Sequence, residues 1–185
     1  VIFEDKLILG MRLSEGLDAA PGHIRAFNVK TGKREWIFHT IPQAGEAGYE
    51  TWDPKYIHQM GAANNWAGMT VDQDRGIVFV PTGSATYDFW GGYRTGDNLY
   101  ANSLLALDAR TGKRIWHFQA VHHDVWDRDF PANPNLIRIQ KDGKWIDAVA
   151  QISKQGYTYV FDRETGNPIW PIQETSVTQS VMPGE

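Results

Sequence analysis

The feature that most constrains this 185-residue chain is a pattern that occurs three times. Ala26-Phe27-Asn28-Val29-Lys30-Thr31-Gly32-Lys33-Arg34-Glu35-Trp36 is followed by Ala106-Leu107-Asp108-Ala109-Arg110-Thr111-Gly112-Lys113-Arg114-Ile115-Trp116. A third copy is Val160-Phe161-Asp162-Arg163-Glu164-Thr165-Gly166-Asn167-Pro168-Ile169-Trp170. Each copy is an apolar strand end, an Asp or Asn, a Thr-Gly turn and a second strand carrying Trp four residues past the glycine. Asp or Asn starts such a turn by side-chain bonding to its own backbone, and Gly supplies the positive φ that closes it. The Trp then holds a fixed place in the next strand, where its ring can fill the gap between neighbouring sheets. One copy would carry little weight; three define a repeated β unit that buries its faces against its neighbours.

Further short strands are expected near 5–9, 23–28, 67–71, 77–81, 103–108, 146–152 and 157–161. The repeat spacings are unequal, and the longest insertions, 40–65 and 84–102, are rich in Gly, Asn, Tyr and Trp. Long loops on a rigid β scaffold are where function concentrates. No amphipathic helix of convincing length is visible, and 8 Trp with 18 Gly and 9 Pro fit an all-β chain of many turns. The expected architecture is about three blades of a β-propeller, each a four-stranded antiparallel sheet cut from a closed ring. Residues 1–185 read as one partial propeller domain of a longer protein, because the chain opens inside an apparent strand, Val1-Ile2-Phe3, without Met. Such a piece exposes unpaired sheet edges, so alone it is expected to be poorly stable and inactive.

Composition excludes several classes of function. The net charge is −4 and is spread along the chain, without the clustered basic residues of a nucleic-acid surface. No Cys is present, which excludes a disulfide framework, a thiol nucleophile and Cys-ligated zinc within these residues. No apolar run approaches membrane-spanning length, and no basic-then-apolar leader opens the stretch. A G-x-G-x-x-G fingerprint, a Walker loop and a G-x-S-x-G elbow are all missing, so nicotinamide, nucleotide and serine-hydrolase readings lack support.

The densest polar constellation is His122-His123-Asp124-Val125-Trp126-Asp127-Arg128-Asp129-Phe130-Pro131. Neighbours on an extended chain alternate faces, so these groups cannot all converge on one ion. Two readings stand: one carboxylate in a pocket with the rest holding the loop, or a purely structural loop network. Trp66, after Asn64-Asn65, reads as a core plug or as a cofactor platform. Lys154, in the expected strand Ala150–Tyr157, reads as a solvated edge lysine or as a donor aimed into a dry pocket. Glu15 is a lone loop carboxylate in Arg12-Leu13-Ser14-Glu15-Gly16.

Taken in order, Gly22-His23-Ile24-Arg25-Ala26-Phe27, Asn65-Trp66, Trp90-Gly91-Gly92, the His122–Pro131 run and Lys154-Gln155-Gly156 resemble the quinoprotein dehydrogenases. These enzymes use pyrroloquinoline quinone (PQQ) on an eight-bladed propeller. The resemblance covers essentially the whole chain and is strongest to the branch of membrane glucose dehydrogenase and quinate-type enzymes. The Thr-Gly-x-x-x-Trp repeat resembles the family's tryptophan-docking motif, which non-catalytic propellers share; the His-Asp-Val-Trp-Asp run is more specific.

By position, the resemblance implies Asp127 as catalytic base, Lys154 as the basic residue at the quinone oxygens and Trp66 as the ring under the planar cofactor. Lys154, where methanol dehydrogenases have Arg, also points to the glucose dehydrogenase branch. The resemblance implies Glu15 as a metal-holding carboxylate. Thr82-Gly83-Ser84-Ala85 stands where methanol dehydrogenases place a metal-ligating Asn, so Ser84 would offer a hydroxyl instead. Calcium is the expected ion, since a hard cation takes carboxylate and neutral oxygens. His122, His123 and Asp124 are then orienters of the loop that presents Asp127.

The implied activity is PQQ-dependent oxidation of a sugar, polyol or other alcohol. A carboxylate base takes the hydroxyl proton as hydride leaves carbon for the quinone, and a quinone or cytochrome is the electron acceptor. The resemblance also implies a periplasmic setting, with membrane association through regions outside this stretch. Two other readings use the same repeats, a non-catalytic propeller that scaffolds other proteins and a degenerate quinoprotein without its metal. A scaffold has no use for Asp127 and Lys154 in a shared pocket.

Overall fold

The computed structural model describes residues 1–183 and 185. Its order is β1 (Ile2–Phe3), β2 (Lys6–Leu9), β3 (Ile24–Asn28), β4 (Arg34–Phe38), β5 (Thr70–Asp72), β6 (Ile77–Pro81), β7 (Ser103–Asp108), β8 (Arg114–Gln119), β9 (Asn135–Lys141), β10 (Lys144–Ile152) and β11 (Thr158–Asp162). The only helical pieces among the described residues are two short 3-10 turns, Tyr49–Thr51 and Ile57–Gln59. The strands form three antiparallel meanders: β1-β2-β3-β4, β5-β6-β7-β8 and β11-β10-β9. This is the all-β, blade-by-blade organisation that the repeats imply.

The three copies fold into the same turn. Asn28 Oδ1 accepts the amides of Lys30 and Thr31 at 3.0 and 3.1 Å, and Asp108 and Asp162 repeat the arrangement two and three residues on. Gly32, Gly112 and Gly166 sit at φ of 68°, 71° and 73°, and each amide bonds back to the carbonyl of the Asn or Asp four residues earlier. An L side chain at such φ costs about 1–2 kcal/mol, which explains why glycine recurs.

The tryptophan then joins one sheet to the next. Trp36 packs over Gly112 of the following sheet and donates its indole N–H to Ala109 O at 3.1 Å. Trp116 packs over Gly166 and donates to Arg163 O at 2.9 Å. The turn glycine is needed twice over, because a Cβ on Gly112 would fall 2.5 Å from the Trp36 ring. Each buried indole removes enough apolar surface to contribute about 4 kcal/mol of transfer free energy.

The middle sheet shows why its strands read as unbroken apolar runs. Val78 and Val80 of β6, with Leu105 and Leu107 of β7, pack toward the first sheet with Phe3, Ile8, Ile24 and Trp36. Their neighbours Ile77, Phe79, Leu104 and Ala106 pack the other way, with Trp116, Phe130, Val149 and Phe161. The period of two divides the two faces, and both are buried.

Three expectations need correction. The third sheet is three-stranded rather than four-stranded; beyond β11, among the described residues, only the isolated bridge Phe161–Pro168 continues the pattern. Proline has no amide hydrogen to give a ladder, and the ring fixes φ. Strand β9 was not expected from the sequence at all. Lys154 lies outside any strand, on the tight connection 153–157 between β10 and β11, where Gly156 at φ 84° and the Ser153 amide on Tyr157 O close a turn.

In a meander, alternate connections fall on the same end. One end carries only the tight turns 4–5, 29–33, 73–76, 109–113, 142–143 and 163–167. The other carries 10–23, 39–69, 82–102, 120–134 and 153–157. The two longest of these pack on each other through Ile41, Trp52, Ile57, Met60, Ala63, Ala85 and Ala101.

Candidate active site

Every candidate residue sits at the loop-bearing end. Glu15 lies between β2 and β3, Trp66 just before β5, Ser84 after β6, Asp127 before β9 and Lys154 between β10 and β11. All five line one cavity of about 230 Å³, together with Arg12, Asn64, Asp88 and Asp129 among others.

The centre of the cluster is Asp129, which sequence reasoning did not single out. It is almost fully buried, and Oδ2 accepts the Trp66 indole N–H at 2.9 Å and the Lys154 ammonium at 3.1 Å. Oδ1 accepts the Ser84 amide at 2.6 Å and the Ser84 hydroxyl at 3.2 Å. The Lys154 amide also donates to Asp129 O at 2.9 Å. One carboxylate therefore ties the loops that carry Trp66, Ser84 and Lys154 to its own. The available signal was its position two residues after Asp127, which on an extended segment faces the same side.

Lys154 Nζ bonds Asp127 Oδ2 at 2.7 Å and lies 5.5 Å from the centre of the Trp66 ring. Burial alone would lower the ammonium's pKa, but its bonds to Asp127 and the charge of Asp129 hold it above its ordinary value. Asp127 also shifts upward. Burial is the largest cause and Asp129 adds repulsion, while the bond to Lys154 offsets part of both. An isolated Asp–Lys pair would lower the carboxylate; here two carboxylates share one ammonium. Asp127 also has φ 53°, a left-handed backbone for a residue with a side chain, and such strain clusters at functional sites.

That backbone is held by Asp124, which is buried and accepts the amides of Trp126 at 2.9 Å and Arg128 at 2.6 Å. Asp124 Oδ2 further accepts the Ser84 hydroxyl at 2.7 Å and Asn102 Nδ2 at 2.8 Å. Ser84 Oγ in turn accepts from Asn102 at 3.1 Å, so its hydroxyl is committed on both sides. His123 Nδ1 meets Gly96 O and His122 Nε2 meets Glu174, both outside the cavity. Arg94, a second residue unmarked in the sequence, is 1% exposed; it donates to Asn98 Oδ1, Tyr87 O and Asp124 O, clamping two loops together.

Trp66 is not a core plug. It is 43% exposed, whereas the docking residues Trp36 and Trp116 are 7% and 9% exposed. Its N–H is fixed by Asp129 and its ring borders the cavity. Glu15 also borders the cavity and makes no hydrogen bond among the described residues. No group of three or more His, Asp or Glu side chains converges as a metal site among the described residues.

The comparisons agree with this architecture. Residues 1–185 match the family model described as PQQ: Glucose/ethanol/alcohol dehydrogenase, beta-propeller domain. The chain is 39% identical over 183 residues to the quinate/shikimate dehydrogenase (quinone) of Acinetobacter baylyi, covering 97% of this chain and 22% of that protein. It is 42% identical over 168 residues to quinoprotein glucose dehydrogenase A of Acinetobacter calcoaceticus, covering 88% and 20%. The crystal structure of the quinohemoprotein alcohol dehydrogenase from Comamonas testosteroni superposes with a TM-score of 0.80 at 30% identity, over 91% of this chain and 27% of that one. The chain thus spans about a fifth of the length of these curated relatives. By the match along its whole length, the chain belongs to the PQQ-dependent glucose/ethanol/alcohol dehydrogenase β-propeller family.

Proposed function

We propose that this chain contributes the catalytic carboxylate and part of the cofactor cradle to a PQQ-dependent dehydrogenase that oxidises a sugar, polyol or other alcohol. The observation that carries the reading is the shared cavity of Asp127, Lys154 and Trp66 at the loop-bearing end of the sheets. The degenerate-enzyme and scaffold readings need none of these three in register.

The donor set fits the cofactor. A half-exposed indole with a fixed N–H offers a flat apolar face to a planar tricyclic ring, and the Lys154 ammonium stands beside it for electronegative oxygens. For a divalent cation such as Ca²⁺ the lining offers the unpaired carboxylate of Glu15, while Asp127 and Asp129 are engaged by Lys154 and the three do not converge as a metal site among the described residues. Ser84 Oγ accepts from Asn102 on one lone pair, so it would join with the other while still donating its hydroxyl to Asp124. When bound, the quinone supplies the two-electron acceptor for the hydride leaving the substrate carbon.

The chain's own part is proton chemistry and positioning. Asp127, raised by burial and by Asp129, takes the substrate hydroxyl proton on a carboxylate oxygen. Lys154 restrains that carboxylate and limits the charge accumulating beside Asp129. Asp129 orients both Lys154 and Trp66, and Asp124 holds the strained backbone that aims Asp127. The membership and the domain match support a setting in a longer chain, in the periplasm or facing it, with a quinone or cytochrome as electron acceptor.

The test uses the full-length parent, purified without cofactor, then given PQQ with and without Ca²⁺. Dye reduction is followed across sugars, polyols and short alcohols. Activity that requires both additions, and falls at least a hundredfold in Asp127→Asn, is the expected outcome. Cofactor binding without turnover on any substrate supports the degenerate enzyme, and absence of binding removes the enzyme reading.

A further inference from the structure

One carboxylate in the site has no role in that scheme. Asp88, in the loop between β6 and β7, lines the cavity of Asp127 and Lys154 and also a wider adjoining one of about 500 Å³. The second cavity is walled by Glu15, Tyr87, Phe89 and Trp90. Asp88 therefore stands on the boundary between the reactive cluster and an aromatic vestibule.

We propose that Asp88 is a specificity-determining residue, whose carboxylate receives the hydroxyl groups neighbouring the one that is oxidised. The inference rests on the dehydrogenase reading above and deepens it, because it selects polyhydroxylated substrates over simple alcohols.

The surroundings of Asp88 carry it. Asp88 is half-buried, yet among the described residues it makes no hydrogen bond and no ion pair. Arg94, the cation closest in chain position, directs its two terminal nitrogens to Asn98, Tyr87 O and Asp124 O, and none of its N–H groups bonds Asp88. A partly desolvated acceptor without a donor is costly unless a ligand supplies one. Burial first, then the charges of Asp127, Asp129 and Glu15, push its pKa up to about 6, and the charge of Arg94 offsets only part of this.

The loop around it is nevertheless fixed, which a recognition group requires. Thr86 bonds Gly61 through both its amide and its hydroxyl, and Tyr87 O is held by Arg94. The vestibule rings are braced as well, with Trp90 against Tyr87 at 6.1 Å and against Tyr93 at 4.8 Å between centroids. Finally, the chemistry suits the ligand. An ionised carboxylate presents two acceptor oxygens, matching two adjacent hydroxyl donors, while aromatic walls receive the apolar C–H face of the same molecule.

The experiment compares wild type, Asp88→Ala and Asp88→Asn in the full-length holoenzyme. Initial rates on glycerol and a hexose are set against those on ethanol and 1-propanol. Loss of a charged hydrogen bond corresponds to about ten- to a hundredfold, so the ratio of kcat/KM for polyol over simple alcohol falls by that factor in Asp88→Ala. Should Asp88→Ala unfold, the isosteric Asp88→Asn carries the comparison with a fall of at least threefold. In parallel, hexose binding to the cofactor-free protein is followed by calorimetry, which needs no turnover. An unchanged ratio in folded variants overturns the proposal and leaves the dehydrogenase reading intact. If wild type oxidises neither class, that reading fails, and the binding arm decides alone: weaker hexose binding in the variants supports the role of Asp88, and equal binding overturns it.

Discussion

Asp127 and Asp129 are two residues apart and share one lysine, yet the structure gives them opposite consequences on neutralisation. In Asp129→Asn the side-chain oxygen can still accept from Ser84, but the new NH₂ would face the Trp66 indole N–H and the Lys154 ammonium, both of which donate to Oδ2. A lost hydrogen bond to a charged group costs about 1.5–3 kcal/mol, so losing the pair costs about 3–6. Lys154 is one-third exposed and keeps Asp127, which places the expectation at the low end, about 3 kcal/mol. Asp127→Asn gives up only the contact with Lys154, relieves the repulsion from Asp129 and puts a residue that tolerates left-handed backbone at φ 53°. Its stability should stay within about 1 kcal/mol of wild type. Urea denaturation of the full-length, cofactor-free protein at pH 7.5, followed by tryptophan fluorescence, measures both. Equal losses in the two variants, or a stabilised Asp129→Asn, would refute the claim that Asp129 is the structural member of the pair.

Two further outcomes follow from the fold and the site. Gly112→Ala places a methyl 2.5 Å from the Trp36 ring at φ 71°, so backbone strain and ring displacement together cost about 4 kcal/mol or more, whereas Gly143→Ala, at φ 76° with open space around it, costs about 1–2; paired denaturation curves separate the two effects. Asp88 is raised from 3.8 to about 6, so its ionisation opposes folding above about pH 6 and is without effect below about pH 4. Asp88→Asn should therefore gain stability over wild type as pH rises through that window, by about 1 kcal/mol after solvent screening of a half-exposed group; a melting-temperature difference that is flat between pH 4 and 7 would contradict this.

What the sequence discloses, and what it hides, divides by the range of the forces involved. The Asn28, Asp108 and Asp162 turns are legible because their bonds close within five residues. Strands β6 and β7 are legible because both their faces are buried, which leaves an unbroken apolar run. Strand β9 is not, since Arg138 and Gln140 interrupt Leu136, Ile137 and Ile139 on a half-exposed edge. The turn at Lys154 was signalled by Gly156, but the polar Ser153 and Gln155 resemble a solvated strand end equally well. The five cavity residues were reached through resemblance, and the cavity brings them together. Asp129 escaped because its partners Ser84 and Trp66 lie 45 and 63 positions away, a tertiary fact with no local trace. Asp88 escaped because its distinguishing property is a missing partner.

The tryptophan joints have a direction. At each one the earlier sheet provides the ring and the later sheet provides the glycine turn, as in Trp36 on Gly112 and Trp116 on Gly166. Gly32 has nothing within 4 Å of where a Cβ would stand, and Trp170 is 54% exposed. The first turn thus has room for a ring from a preceding sheet, and Trp170 has room to seat on the turn of a following one, in a chain that spans about a fifth of its relatives' length. A further sheet on either side would join in the same direction, the earlier one giving the ring and the later one the glycine turn. Such a joint propagates until rotation brings the ends together. Whether sheets joined in this way close into a ring is therefore decided by the angle set at each joint, where the indole lies directly against the glycine of the next turn.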